Sequence, residues 1–106
     1  MKGYQIDEDI DLSKLSGKLS TSAPAPKPSS SEVLVDVHSA ALNFFDVLQI
    51  AGKYQIKKPF PYVPGTEIAG VISEDSPIPE GCDFKKGDRV FGAANGSYAE
   101  KVSEVS

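Results

Sequence analysis

The sequence predicts a small, mainly β domain of barrel or sandwich type with one or two short helices. Three observations lead there. Glu32–Ser39 alternates apolar and polar residues, putting Val33, Val35 and Val37 on one face and Asp36 and His38 on the other, as a half-buried strand does. Glycines at 65, 70, 81, 87, 92 and 96 cut the second half into short strand-like runs at turn or bulge positions. One stretch, Asn43–Gly52, carries a helical period instead. The 106 residues suffice for one domain, and 40% hydrophobic with 25% charged residues is ordinary for a globular chain.

In chain order, Tyr4 and Ile6 suit one side of a short strand, and Leu12, Leu15 and Leu19 a second piece. Residues 20–31, with Pro24, Pro26 and Pro28 among serines, favour extended backbone and are expected to stay out of the core. Residues 1–31 therefore read as an N-terminal strand region and connector, and 32–106 as the domain core. Asn43 suits the N-cap of the helix, and Asp46, three residues on, completes a capping-box-like pair and complements the dipole. Gly52 is the expected left-handed terminator. Phe44, Val47, Leu48 and Ala51 fall at helical spacing and are expected to face the core. Pro59, Pro61 and Pro64 stiffen the next loop. Further strands are expected at 67–72, 89–91 and 97–102.

Composition excludes several functions. A net charge of −4 and no basic run longer than Lys57-Lys58 or Lys85-Lys86 argue against nucleic-acid binding. No apolar run approaches the ~20 residues that span a bilayer, and the first residues lack the apolar segment of a secretory signal. The single Cys82 allows no internal disulfide and suits a reducing cytoplasm, where Asn95-Gly96-Ser97 never meets the glycosylation machinery. His38, the only histidine, reads as a solvated strand residue.

Three segments taken together carry a resemblance. They are Ala40-Ala41-Leu42-Asn43-Phe44-Phe45-Asp46 with Gly52-Lys53-Tyr54; Pro61-Tyr62-Val63-Pro64-Gly65-Thr66-Glu67-Ile68-Ala69-Gly70-Val71-Ile72; and Phe84-Lys85-Lys86-Gly87-Asp88-Arg89-Val90-Phe91-Gly92 with Gly96-Ser97-Tyr98-Ala99-Glu100. Their order and spacing resemble the N-terminal, GroES-like catalytic domain of zinc-independent medium-chain dehydrogenases/reductases, the quinone oxidoreductase and zeta-crystallin branch. The resemblance implies an irregular GroES-like β barrel followed, in the family, by a Rossmann domain. No Gly-x-Gly-x-x-Gly stands in these residues, so the chain is expected to be the front part of a longer protein.

The same resemblance implies the chemistry. Zinc-dependent relatives place a cysteine where this chain has Asn43 and a histidine where it has Thr66, and they insert a four-cysteine lobe after the Gly-Asp-Arg-Val strand. An amide and a hydroxyl replace the first two here, and no cysteine follows that strand, so neither zinc site is expected. Without a Lewis acid the suitable acceptors are already activated, quinones or α,β-unsaturated carbonyls, reduced by hydride from NADPH held mainly by the second domain. Asn43 is read both as helix cap and as a catalytic residue contacting nicotinamide or substrate. Tyr54 is implied as a hydrogen-bond donor to substrate oxygen. Thr66, Glu67, Asp46 and Leu48 are implied to line or organise the substrate cleft. Leu48 stands where some quinone reductases have a tyrosine and Ile50 where many have an arginine, so a greasier enone fits as well as a quinone.

A different class is a stand-alone GroES-like binding module, because fold does not fix function. A co-chaperonin, however, needs a mobile glycine-rich loop with an aliphatic tripeptide, and residues 20–31 offer neither. A domain facing absent protein exposes apolar surface and sheet edge, so the isolated chain is expected to self-associate.

Overall fold

The computed structural model describes residues 1–54 and 58–105. It is mainly β, as expected: β1 (Gly3–Tyr4), β2 (Leu19–Ser20), β3 (Glu32–Ala40), β4 (Glu67–Ile72), β5 (Arg89–Ala93) and β6 (Lys101–Val105), with one α-helix, α1 (Phe44–Ile50), and a 3-10 helix at Leu12–Lys18. The main sheet is antiparallel in the order β5-β4-β3-β6, and β1 pairs with β2 in a separate ribbon. The sheets stay open among the described residues. No described helix is long and apolar enough to cross a membrane.

Alternation in β3 builds the core. Val33 and Val35 pack with Ile68, Ile72, Ala94 and Val102, and Val37, Val90 and Cys82 close round them. Each such buried aliphatic side chain contributes about 1.5–3 kcal/mol relative to exposure. Asp36 lies on the opposite face and pairs with Lys101 of β6. Leu34 is buried too, because the Ser73–Ser76 turn is tied to it: its N–H donates to Ser76 Oγ (2.8 Å), and its carbonyl accepts from the Ser73 N–H (2.9 Å).

A second cluster joins the N-terminal segment to the helix. Ile6, Ile10 and Ile50 are buried together, with Leu15 and Tyr62 against them. Ile6 and Tyr62 exchange backbone hydrogen bonds of 2.7 and 3.0 Å. Leu12 and Leu19, expected to pattern with Leu15, are exposed.

Three expectations are corrected. Phe44 does not face the core; it is 76% exposed, and the helix buries Asp46, Gln49 and Ile50 instead, with Val47, Leu48 and Ala51 half-buried. The reason is polar: Asp46 is drawn inward by donors described below. The expected strand at 97–102 begins only at Lys101. Its first residues cross to other partners, Tyr98 N–H to the Pro64 carbonyl (3.0 Å) and Glu100 N–H to the Lys2 carbonyl (3.0 Å). Finally, the proline-rich connector does reach the interior: Ala23 is buried, and its carbonyl accepts from the Met1 ammonium at 2.9 Å.

Candidate active site

The site is built on the start of α1. Asn43 is its N-cap, in extended conformation, and Gly52, at φ +73°, turns the chain away beyond its end. The Asn43 backbone N–H donates to Asp46 Oδ2 at 3.1 Å, which is the expected return half of a capping pair.

Asp46 does more than cap. It is 1% exposed, and its carboxylate also accepts from the Tyr98 hydroxyl on Oδ2 (3.1 Å) and the Thr66 hydroxyl on Oδ1 (3.2 Å). Tyr98 Oη lies 3.2 Å from the Ala41 carbonyl as well. With one proton to give, the phenol favours the charged acceptor, whose hydrogen bond is the stronger. One buried carboxylate thus joins the helix start, the Pro64–Glu67 segment and the turn before β6. A buried carboxylate survives only with such partners. Lys58 adds a favourable field from the side, its ammonium lying 5.7 Å from the centre of the Tyr62 ring. Burial lowers the Lys58 ammonium from its ordinary value, and the Asp46 charge works in the opposite direction.

At the solvent edge of this cluster the Asn43 amide donates to Glu67 Oε1 over 3.4 Å, a long and easily exchanged bond. Leu42 and Phe44, both exposed, flank it. The arrangement is an amide and a carboxylate on a lip with apolar shoulders, braced from beneath by Asp46. Among the described residues no group of three His, Cys, Asp or Glu side chains is placed to hold a metal ion.

The structure therefore brings together Asn43, Asp46, Thr66 and Glu67 of the expected site residues. Tyr54 packs instead on Phe45 of the helix, the two rings meeting edge-on at 4.4 Å between centroids. Leu48 is half-buried on the helix, its carbonyl accepting from the Lys53 N–H at 2.9 Å. Tyr98 is the residue that sequence reasoning missed. It stands in the Gly-Ser-Tyr-Ala-Glu segment that carries part of the resemblance, but its role shows only once Asp46 is seen to turn inward.

Tyr98 makes a pH prediction. Burial first, then the Asp46 charge and hydrogen bond, hold its phenol well above the usual tyrosine value. A group whose folded pKa is raised gives stability that is intact below its unfolded value, about 10 for tyrosine, and lost as pH rises toward the folded value. Thermal melts should be flat in this respect to pH ~10 and fall above it, and Tyr98→Phe should remove part of that slope. A wild-type melting temperature unchanged to pH ~11.5 would contradict it. Burial also raises Tyr62, so a residual slope remains in the variant.

Comparison with known proteins gives consistent matches. The family described as the alcohol dehydrogenase GroES-like domain matches residues 29–104. Quinone oxidoreductase-like protein 2 of Rattus norvegicus is 47% identical over 75 residues, covering 67% of this chain and 20% of its own length. A probable oxidoreductase from Mycobacterium abscessus superposes with a TM-score of 0.83 at 36% identity, over 99% of this chain and 32% of that one. The quinone oxidoreductase of Thermus thermophilus, solved alone and with NADPH, superposes with a TM-score of 0.70 at 27% identity, over 97% and 29%. The chain thus spans about a fifth to a third of the length of these proteins.

Proposed function

This chain belongs to the alcohol dehydrogenase GroES-like domain family, on the quinone oxidoreductase side of the medium-chain dehydrogenases/reductases, and from that premise we propose that it forms the substrate side of an NADPH-dependent reductase of quinones or α,β-unsaturated carbonyls. The observation that carries the reading is the Asp46-braced lip, which holds the Asn43 amide and Glu67 at the surface between Leu42 and Phe44.

NADPH, when bound, supplies the hydride. The half-buried Asn43 amide, one donor of which is held only by a 3.4 Å bond to Glu67, would hold its nicotinamide end by hydrogen bonding to the carboxamide. The residues here offer no glycine-rich cradle for its phosphates, which we assign to a Rossmann domain in a longer protein. As hydride reaches the acceptor, negative charge develops on the acceptor's oxygen. Asn43 and Tyr54 supply hydrogen bonds to that oxygen, with Tyr54 as the proton donor. Thr66 and Asp46 keep Asn43 and the helix start in place, while Leu48 makes the neighbouring wall apolar. The reaction runs without zinc: the amide of Asn43 and the Thr66 hydroxyl, already engaged with Asp46, are poor metal ligands. The lone thiol, Cys82, accords with a cytoplasmic location.

The test is an acceptor panel with the protein purified from its source cells, following loss of NADPH absorbance with and without EDTA. Turnover of quinones or enones that EDTA leaves intact supports the reading; no turnover of any acceptor, or turnover that EDTA abolishes, rejects it. In the active protein, Tyr54→Phe should lower kcat by about 10²-fold, the low end of what a positioned proton donor contributes, with NADPH binding unchanged.

A further inference from the structure

The Asn95-Gly96 pair carries an inference independent of the enzymatic reading. An asparagine carboxamide followed by glycine is open to attack by the glycine's own backbone nitrogen, because no β-carbon shields that nitrogen. The chain holds two asparagines, and the other, Asn43, is followed by the bulky Phe44 and caps α1. Asn95 and Gly96 form the turn that follows β5, and Asn95 is exposed. Its side chain is therefore placed for the reaction, but the attacking nitrogen is not free. The Gly96 N–H donates to the Gly65 carbonyl at 2.9 Å. The nitrogen attacks only after losing its proton, and this hydrogen bond holds the proton in place. Bonds on either side fasten the same segment: Ala94 N–H to the Thr66 carbonyl (2.9 Å) and Tyr98 N–H to the Pro64 carbonyl (3.0 Å). Amides bonded in this way exchange with solvent only during local opening. Cyclisation at Asn95 requires that same opening.

We propose that Asn95 is a deamidation site whose rate is set by opening of the Gly96–Gly65 hydrogen bond, and whose product loosens the Tyr98 brace on Asp46. In the open segment a base removes the Gly96 amide proton, and the nitrogen attacks Asn95 Cγ. The new N–Cγ bond closes a succinimide ring as the Cγ–Nδ2 bond breaks, and Nδ2 leaves, protonated, as ammonia. Water then opens the ring at either carbonyl. Hydrolysis at Cγ leaves aspartate in an ordinary chain, and hydrolysis at the main-chain carbonyl leaves isoaspartate. Water enters, ammonia leaves, and no oxidant takes part.

Both products add a negative charge to an already acidic chain. Isoaspartate does more, because it routes the main chain through its β-carbon and so inserts an extra backbone atom between Ala94 and Gly96. The segment is fastened to residues 64–66 on both sides of that point, so the added length falls on the bonds of Gly96 and Tyr98. Tyr98 also carries the hydroxyl that donates to Asp46 Oδ2 at 3.1 Å. A lesion in an exposed turn thereby reaches the buried carboxylate that braces the candidate site. The mark is one-way: an opening that ends in cyclisation is recorded permanently in the chain.

The experiment incubates this chain in mildly alkaline buffer, native and unfolded in urea, and follows Asn95 by peptide mapping with mass spectrometry. Hydrogen exchange of the Gly96 amide is measured in parallel. The unfolded chain should deamidate about 10-fold or more faster than the native one. That factor should match the protection of the Gly96 amide from exchange, since the same nitrogen must lose its proton in both reactions. Tyr98→Phe, which frees the segment from Asp46 and leaves the turn intact, should speed the native reaction and not the unfolded one. Asn95→Gln, whose longer side chain closes a ring far more slowly, should remove it. The isoaspartate product, separated by charge, should melt below Asn95→Asp, which adds the charge alone. Equal rates in native and unfolded chains, a slowdown unrelated to the exchange of Gly96, deamidation at Asn43 in place of Asn95, or an isoaspartate product as stable as Asn95→Asp would overturn the proposal. None of these readouts depends on turnover, so the reductase reading stands or falls separately.

Discussion

Replacing Asp46 with alanine should destabilise the domain by about 3 kcal/mol and lower its melting temperature by roughly 12–24 °C. The change takes the acceptor from the Thr66 hydroxyl and the Asn43 N–H, and leaves the Tyr98 hydroxyl only the Ala41 carbonyl at 3.2 Å in place of a charged acceptor. A buried donor left without an acceptor costs about 1–3 kcal/mol. Thr66 and Asn43 are only half-buried and recover some hydration, whereas Tyr98, at 8% exposure, recovers little. Relief of the carboxylate's own desolvation offsets part of the loss, which keeps the expected figure near the bottom of the range for breaking a buried charged pair. The isosteric Asp46→Asn should fall between, because its amide accepts on one side and meets the opposing donor with N–H on the other. Denaturant unfolding of Asp46→Ala, Tyr98→Phe and the double variant measures the coupling, expected at about 1–2 kcal/mol. A single Asp46→Ala loss below ~1 kcal/mol would show that this carboxylate does not hold the helix start, Thr66 and Tyr98 together.

The second large effect is expected at Gly65, between Pro64 and Thr66. Its φ is +102°, a conformation that costs an L-residue about 1–2 kcal/mol. A β-carbon there would also fall on Ser97 Oγ and the Tyr98 ring, both buried and unable to move away into solvent. Overpacking of that kind costs about 1–3 kcal/mol more. Gly65→Ala should therefore lose about 3 kcal/mol and, by displacing Tyr98, loosen the bond to Asp46. Gly81→Ala is the control: its φ of +81° is equally left-handed, but open space surrounds the position. It should lose only the conformational part, about 1–2 kcal/mol. Equal losses at the two sites would show that contact with Tyr98 does not matter.

Much of this architecture is legible in the residues. Alternation at Val33, Val35 and Val37 locates β3 and its core face, and Asn43 and Gly52 bracket α1 within a residue or so. Local pattern failed where a distant partner decides. The spacing of Phe44, Val47, Leu48 and Ala51 describes a plausible apolar face, but hydrophobic periodicity has no place for a buried aspartate. The helix is rotated by acceptor geometry, with Asp46 meeting hydroxyls from residues 66 and 98. Tyr98 fits a strand pattern equally well; only its backbone bonds to Pro64 and Tyr4 show that it belongs to a crossing turn. Asn43, Asp46, Thr66 and Glu67 were identified through resemblance, whereas the reason they assemble, one carboxylate serving three donors, lies in tertiary structure.

The pairing of β3 bears on how the chain is made. β3 lies inside the sheet between β4 and β6, and Val33 faces Glu104 across the β3–β6 pair. On a ribosome, where synthesis runs at about 5–20 residues per second, β3 emerges seconds before β6. During that interval its Val33–Val35 face has only β4 and, later, β5 to cover it. Such non-local pairing slows folding and lengthens exposure of adhesive surface. Nascent chains of this protein should therefore be bound by chaperones most strongly between the emergence of β3 and that of β6, a window that ribosome profiling of chaperone-bound chains would display as a plateau ending once Val105 has cleared the exit tunnel.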